Sequence, residues 1–197
     1  ESFPAVVRTV PVKEIRKEGR LGARALELRL VGTSPDWFAL VRRPLIAGRT
    51  IAARDSETRN NVVVLTEHGA RRLLATRSSV GESLRIGADY FEVIGIVRSE
   101  TTEGGGMQTP DRNIDAYVPL AVARERFGDV FSKRTAGSRI REMVELHQII
   151  VEVNSIDRVA STAAGIEYML KRFHKKEDYQ ISVPLALLRQ AEATKRT

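Results

Sequence analysis

An amphipathic stretch near the C-terminus restricts the fold of this chain more than any other feature. Apolar residues recur every three or four positions from Ile156 to Phe173, which predicts a helix with one apolar face. Residues 146–153 before it and 179–183 after it have the composition of strands, and Asn154-Ser155 is suited to cap the helix. Because an apolar helix face must be covered, these residues predict a β-α-β unit.

The first part of the chain predicts two strands and a short helix. Residues 5–12 are β-prone, and residues 25–30 alternate leucines with charged side chains, which is the pattern of a half-buried strand. A helix is predicted next, with Ser34 as its cap and Pro35 at its first position. We expect Phe38 on this helix to face the core beneath the first strand.

The middle of the chain predicts a second group of short elements. Residues 62–65 form a continuous apolar run that is typical of a buried strand, and a helix is predicted to start directly after it at Thr66. Residues 83–86 and 90–97 predict the two strands of a hairpin. Gly95 in the second of these strands predicts a bulge or a close backbone contact.

The segments that follow are more polar. Residues 99–113 contain three consecutive glycines and predict a mobile loop. A strand over 116–118 and a short helix over 120–127 follow it. Residues 128–137 have the composition of another polar connection, and residues 185–195 have helical propensity.

Length and composition exclude several classes of site. The chain has 197 residues, of which 42% are hydrophobic, enough to bury a core. It contains no cysteine, which excludes disulfides, thiolate zinc sites and cysteine nucleophiles. No run approaches the roughly 18 apolar residues of a membrane-spanning helix, and the N-terminus lacks the layout of a secretion signal. We therefore expect the residues given to be soluble.

The net charge of +7 raises the possibility of nucleic acid or anionic lipid as a partner. The basic residues, however, are interleaved with acids, as at 16–18, 124–126 and 175–178. A surface that follows phosphates needs a continuous basic stripe and preferably stacking aromatic residues. The charge pattern is typical of solvated faces, and we expect no nucleic-acid partner.

The residues predict no catalytic, cofactor or metal site. The three glycines at 104–106 lack the lysine and hydroxyl residue of a phosphate-binding loop, and no Gly-x-Ser-x-Gly motif occurs. A mobile loop is a poor place to hold carboxylates at fixed separation, which argues against Glu100, Glu103 and Asp111. The histidines do not share a helical face at metal-ligand spacing; they are His68, His147 and His174. We expect a protein that is not an enzyme.

A series of short motifs runs in order along most of the chain. It begins with Val-Gly-Thr-Ser-Pro-Asp-Trp-Phe at 31–38 and Gly-Arg at 48–49, with Asp55 as the following acid. It continues through 61–65, 70–73, 80–86, 91–97 and 117–120, and it closes with 150–153, 172–174 and 178–179. In this order the series resembles the extracytoplasmic (periplasmic) core domain of MacB-like ABC-transporter permeases. The motif residues, each suited to a cap, turn or strand, are Gly32, Ser34, Pro35, Phe38, Gly48, Arg49, Val80, Gly81, Gly95, Tyr117 and Pro119.

The resemblance implies an α+β fold of two lobes. A porter-like βαβ lobe would be made from both chain ends, residues 1–60 and 143–197, and a strand-rich lobe with short helices, residues 61–142, would be inserted between them. The implied function is to relay ATP-driven motion across the membrane, so that a substrate is exported or extracted. ATP would be hydrolysed on a separate cytoplasmic domain, and the chain would need no cofactor.

The same resemblance implies a location and a set of partners. The domain would lie on the extracytoplasmic face of the bacterial plasma membrane, in the periplasm or at the cell surface, anchored by flanking transmembrane helices. Its partners would be those helices, the cytoplasmic ATP-binding domain, a dimer mate, and an adaptor (membrane fusion) protein or a lipoprotein.

Two functions of other classes compete with this hypothesis. A free-standing exported module could bind a lipoprotein, peptide or lipid in a groove between lobes; it would share the fold but would lack flanking membrane spans. A cytoplasmic nucleic-acid binder is favoured only by the net charge. An unknown hydrolase is a remote further alternative.

Overall fold

The computed structural model describes residues 3–74, 80–99, 113–135, 138–176 and 178–184. The helices in these ranges are α1 (Asp36–Val41), α2 (Ala53–Glu57), α3 (Glu67–Leu74), α4 (Leu120–Phe127) and α5 (Val159–Phe173), the last preceded by a 3-10 turn over Ile156–Arg158. The strands are β1 (Val6–Leu21), β2 (Arg24–Thr33), β3 (Leu45–Gly48), β4 (Val62–Thr66), β5 (Ser83–Ile86), β6 (Asp89–Val97), β7 (Ala116–Pro119), β8 (Val130–Thr135), β9 (Ser138–Met143) and β10 (Gln148–Val153).

Eight of these strands form one mixed sheet in the order β10-β1-β2-β7-β4-β6-β3, and β5 pairs with both β1 and β6. Strand β2 is parallel to β7, and β4 is parallel to β6, whereas β4 and β7 are antiparallel. The pairings of β5 close β1, β2, β7, β4 and β6 into a ring. A mixed sheet with short helices confirms the expected α+β class.

Alternate residues of the strands point into two separate hydrophobic clusters. Val63 and Leu65 of β4 pack in one cluster with residues of α3 and α4, whereas Val62 and Val64 pack in the other. This period of two follows from the pleat of a strand. Strand β4 is buried on both faces, which agrees with the prediction of a buried strand from the apolar run over 62–65.

The described residues fall into two compact units. The terminal unit contains the start of β1, the end of β10 and α5, and the sheet unit contains the rest of the sheet with α1 to α4. Strands of the sheet unit come from both of the lobes expected from the sequence, 1–60 with 143–197 and 61–142. The expected lobe boundaries stay a prediction.

Several predicted elements are confirmed. The helix predicted to start at Thr66 forms as α3, and those predicted over 120–127 and 156–173 form as α4 and as α5 with its 3-10 turn. The hairpin β5–β6 turns at Gly87, whose φ of 61° suits a two-residue connection. The register between β4 and β6 shifts between Val63 and Val64: Val63 lies opposite Val93 and Val64 opposite Gly95, so Ile94, next to Gly95, is the extra residue. This is the predicted bulge.

Two of the predicted elements are wrong. Residues 178–184 hold no strand, so the strand predicted over 179–183 is absent from the β-α-β unit. The polar connection predicted over 128–137 is wrong, because residues 130–135 form β8, which pairs with β9 in a separate two-stranded sheet. Helix α5 forms with the predicted apolar face, but that face is mostly half-buried, and Thr162 is the only buried residue of the helix. The glycines at 104–106, the acids of that predicted loop and the predicted helix over 185–195 lie outside the described residues.

Candidate functional site

Three aromatic side chains join α1 to the sheet. Trp37 and Tyr117 are fully buried, and their ring centroids are 5.6 Å apart. The ring of Phe38 meets that of Tyr117 edge to face at 5.5 Å, a favoured aromatic geometry. Arg43 donates a hydrogen bond from Nη1 to the Tyr117 hydroxyl at 3.2 Å. This aromatic cluster of Trp37, Phe38 and Tyr117 therefore fixes α1 on β7.

The expectation that Phe38 faces the core is confirmed only in part, because Phe38 packs against the edge of the core cluster and not in its centre. Phe38 is only half-buried, and the preceding residue, Trp37, occupies the core. Consecutive helix residues point about 100° apart, so only one of the two can face the centre of the sheet. The larger ring takes that place.

The start of α1 also differs from the prediction. Pro35 occupies the cap position, and no side chain caps the helix. Ser34 contributes its carbonyl, which accepts a hydrogen bond from the Trp37 amide at 3.1 Å, but its buried hydroxyl has no partner within the described residues. The predicted hydroxyl cap at Ser34 is therefore wrong. The helix ends at Arg42, which has a φ of 48°.

The Gly-Arg motif forms a tight corner between β3 and β6. Gly48 has a φ of 70°, and a Cβ on it would lie 2.1 Å from the Ile94 carbonyl oxygen. A Cβ on Gly95 would lie 2.1 Å from the Arg49 carbonyl oxygen. The Arg49 amide donates to the Ile94 carbonyl at 2.9 Å. Both glycines are therefore required by close backbone approach, and we call Gly48, Arg49, Asp55 and Gly95 the glycine–arginine corner.

Arg49 holds Asp55 in a two-pronged ion pair. Its Nη1 and Nη2 donate to Oδ2 and Oδ1 of Asp55 at 2.7 and 3.1 Å, and Asp55 is 3% exposed. The Ala52 amide donates to the same carboxylate at 2.8 Å. The hydrogen bonds from Arg49 hold the pKa of Asp55 below its ordinary value although burial opposes this, and the pKa of Arg49 is raised in return. The pair fastens the start of α2 to the end of β3.

Gly32 and Pro119 position α4. Gly32 lies opposite Val118 in the parallel β2–β7 pair, and a Cβ on it would lie 2.9 Å from the Ala123 Cβ of α4. Pro119 is the last residue of β7 and the cap residue of α4. The absence of a side chain at Gly32 therefore lets α4 pack closely on β2.

Val80 and Gly81 form the turn that enters β5. Gly81 has a φ of 91° and open space around it, and its amide donates to the Val93 carbonyl at 2.7 Å. The Val80 side chain is partly exposed. Gly81 is therefore required only for its backbone conformation. At Gly48, by contrast, neighbouring atoms also leave no room for a Cβ.

A buried lysine, which sequence reasoning missed, anchors the β8–β9 hairpin. Lys13 is 3% exposed, and its Nζ donates to Asp129 Oδ1 at 2.9 Å and to the Val144 and Glu145 carbonyls at 2.6 and 3.3 Å. The hydrogen bond from Lys13 lowers the pKa of Asp129. The ammonium therefore joins β1 to both ends of the hairpin. Lys13 lies in a charged stretch of the sequence. Because such stretches are usually solvated, its burial was not predicted.

Asp115 is a second buried charge that the sequence did not reveal. It is fully buried, and its carboxylate accepts hydrogen bonds from Arg72 Nη1 at 2.6 Å and from the Arg29 amide at 2.8 Å. Its carbonyl accepts the Thr66 amide at 2.9 Å. The Thr66 hydroxyl caps α3 by accepting the Gly69 amide at 3.0 Å. The network fastens α3 to β2 and β7.

The three histidines have separate partners. His68 Nε2 lies 3.7 Å from Asp115, His147 Nδ1 accepts the Glu14 amide at 3.0 Å, and His174 Nδ1 lies 3.1 Å from Asp178. Across the part of the chain that the structure describes, no three His, Cys, Asp or Glu residues are grouped to hold a metal. Likewise, none of the described helices is both long and apolar enough to cross a bilayer.

A surface cleft of about 460 Å³ lies in the terminal unit. It is lined by Pro4, Ala5, Asn154, Ser155 and Arg158. The motif residues are not in this cleft; they lie where helices and turns join the sheet. The motifs therefore form a framework that fixes elements, and their roles in function stay a prediction.

Comparison with known proteins identifies the family to which this chain is related. A model of the MacB-like periplasmic core domain matches residues 1–168. The macrolide export ATP-binding/permease protein MacB of Hyphomonas neptunium is 26% identical over 98% of this chain and 27% of its own length. The pyoverdine export ATP-binding/permease protein PvdT of Pseudomonas aeruginosa is 23% identical over 98% and 26%. The chain spans about a quarter of the length of these relatives.

Solved structures share the fold at low sequence identity. The periplasmic region of MacB from Actinobacillus actinomycetemcomitans matches with a TM-score of 0.72 and 19% identity, over 99% of this chain and 78% of that one. The extracellular domain of the ABC-type transporter YknZ from Gram-positive bacteria matches with a TM-score of 0.67 and 18% identity, over 91% and 82%. Since the family model covers most of its length, the chain belongs to the MacB-like periplasmic core domains.

Proposed function

We propose that this domain is the extracytoplasmic part of an ABC-transporter permease and relays ATP-driven motion to a substrate that is exported or extracted. The observation that carries the proposal is the family match over residues 1–168. The names of the MacB and PvdT relatives describe ATP-binding and permease functions in one protein. ATP hydrolysis would therefore belong to another part of the same transporter.

The contacts of the sheet unit support a mechanical role. A body that transmits motion must not deform where force enters it, and packed interiors have low compressibility. The glycine–arginine corner fastens β3 and α2 to β6, and the aromatic cluster fastens α1 to β7. These joints would let helices and sheet move as one body.

The proposal includes the surroundings that such a domain requires. It would be anchored by transmembrane helices on the outer face of the plasma membrane and would work with a cytoplasmic ATP-binding domain and a dimer mate. An adaptor protein or a lipoprotein would receive or supply the cargo. Macrolides and pyoverdine, which the relatives' names mention, are the first cargoes to test.

The test uses the full-length permease in proteoliposomes, with ATP hydrolysis and transport of a macrolide and of pyoverdine measured on the same preparation. Replacing residues 3–184 by a flexible linker should preserve hydrolysis and abolish transport. Asp55→Asn should reduce transport per ATP, because it loosens the glycine–arginine corner without removing the domain. Glu57→Gln, an exposed change on the same helix, is the matched control.

Two results would overturn the proposal. Transport that continues without the domain would show that it relays nothing. A gene with no apolar span on either side of these residues would remove the anchor, and a free-standing binding module would then replace the permease hypothesis.

A further inference from the structure

Several cations at the C-terminal end of α5 have no acidic partner among the residues that the structure describes. Lys171 pairs with Glu167 at 2.8 Å, and His174 lies beside Asp178. Arg172, Lys175 and Lys176 are exposed and form no ion pair with the described residues. Many other cations of the chain have an acid within reach, such as Arg8 with Glu152 and Arg126 with Asp89. Within the described part of the chain, three exposed cations without an ion pair therefore lie together at the end of α5.

Two aromatic side chains lie exposed among these cations. Phe173 is 71% exposed and Tyr168 is 63% exposed. The guanidinium of Arg172 lies 5.5 Å from the centre of the Phe173 ring. Phenylalanine is mostly buried in proteins, so a ring that projects between cations is unusual. We call Tyr168, Arg172, Phe173, Lys175 and Lys176 the basic end of α5.

Helix stability alone does not explain this arrangement. Cations in the last turn interact favourably with the negative end of the helix dipole, which accounts for Lys171 and Arg172. The dipole effect falls off within that turn, and Lys175 and Lys176 lie beyond Phe173, where α5 ends. The dipole also gives no reason to expose Phe173. These features suit a surface that meets both negative charge and apolar material.

We propose that the basic end of α5 binds the surface of a membrane containing anionic phospholipids. Lysine and arginine side chains bind lipid phosphates while their stems lie along apolar surface. Aromatic rings favour the boundary between headgroups and acyl chains, which is where Phe173 would lie. A nucleic acid fits less well, because Glu167 and Asp178 flank the patch and interrupt a basic stripe. The inference rests on the proposed function only in placing the chain beside a bilayer.

The experiment measures binding of the 197-residue chain to lipid vesicles by co-sedimentation. Vesicles of equal parts phosphatidylcholine and phosphatidylglycerol should bind the chain, and vesicles of phosphatidylcholine alone should not. Binding should weaken strongly in about 0.5 M salt, where the Debye length is roughly 4 Å. Lys175→Gln with Lys176→Gln should weaken partition by about fivefold for each charge removed.

Two further variants separate this site from non-specific attraction by the net charge. Arg16→Gln with Arg20→Gln removes the same charge from exposed positions on β1 and should leave vesicle binding near the wild-type level. Phe173→Ser should weaken binding at constant charge and leave the melting temperature unchanged. Equal losses in the two double variants would overturn the proposal, as would tighter binding to duplex DNA or to polyglutamate than to the anionic vesicles. Because the assay needs no transport, its failure is distinguishable from failure of the proposed function.

Discussion

At the scale of single residues, the joints of the sheet depend on the absence of side chains. Gly48 and Gly95 allow two backbone segments to approach so closely that a Cβ on either would overlap a carbonyl oxygen. Gly48 also has a φ of 70°, which side chains disfavour. Glycine is therefore required at Gly48 for two independent reasons, the positive φ and the close contact. The contribution of the contact can be measured by comparison with a glycine that has a positive φ but no close contact.

Gly48→Ala should destabilise the domain more than Gly22→Ala. Both residues have positive φ, but no atom lies within 4 Å of a Cβ on Gly22. Gly22→Ala should therefore cost only the conformational term of about 1–2 kcal/mol, and Gly48→Ala should cost more because β3 must move away from β6. Chemical denaturation of both variants measures the difference. Equal losses would show that the close contact is relieved without cost.

Asp55→Asn should lower the free energy of unfolding at neutral pH by about 2 kcal/mol, as expected when a buried charge-assisted hydrogen bond is weakened. The folded-state pKa of Asp55 lies below its ordinary value of 3.8. A depressed pKa contributes stability above the unfolded-state pKa, and this is lost as the pH falls through the folded-state value. The difference between wild type and variant should therefore shrink below about pH 4.

Urea denaturation at several pH values measures this linkage. Asp129 also has a lowered pKa, but it is present in both proteins and cancels in the difference. Glu57→Gln on the same helix should show no such dependence. A difference between wild type and Asp55→Asn that stays constant down to pH 3 would contradict the ion pair.

Some residue roles could be predicted from the sequence and others could not. Gly95 is predictable at a bulge or close contact, because a glycine weakens the interior of a strand unless the backbone there bends or meets a neighbour. The acid that follows the Gly-Arg motif, Asp55, is the partner of Arg49. Lys13 and Asp115 were missed, because their oxygen and nitrogen partners come from distant parts of the chain. Such partners cannot be identified from the residues next to Lys13 and Asp115 in the sequence.

At the scale of elements, helices were easier to predict than strands. The spacing of apolar residues in α5 extends over several turns and is hard to mimic. Strand β1 is twice as long as expected, since its second half is highly charged and is recognised only through its pairing with β2. The strand predicted over 179–183 does not form, because a β-prone composition alone does not supply a neighbouring strand with which to pair.

The two aromatic residues of α1 should contribute unequally to stability. Trp37→Ala should cost about 3–5 kcal/mol, because the indole is fully buried. Phe38→Ala should cost less, since Phe38 is half-buried and its main loss is one edge-to-face contact with Tyr117. Melting temperatures of the two variants test this order. A larger loss for Phe38→Ala would show that the helix is rotated and that Phe38, not Trp37, faces the core.

At the scale of the whole molecule, burial is concentrated in the middle of the sheet. Every residue of β4 and β7 is buried, whereas α5 has one buried residue. Amide exchange in a native protein is slowest where opening requires global unfolding. The two units should therefore differ in local stability.

Hydrogen exchange followed by mass spectrometry should show this difference. Peptides covering β4 and β7 should exchange last, with a protection free energy close to that of global unfolding. Peptides covering α5 should exchange earlier, because few of its contacts oppose local opening. Protection of α5 equal to that of β4 would mean that the helix has more partners than its burial indicates.

The parallel pairing of β2 with β7 affects how the domain is made. Leu30 must find Ala116, so the first two strands emerge long before the strand that completes them. Such long-range pairings slow folding, and an unpaired strand edge is a template for association with other chains. During synthesis the nascent domain therefore passes through an interval in which the β7 side of β2 has no partner strand.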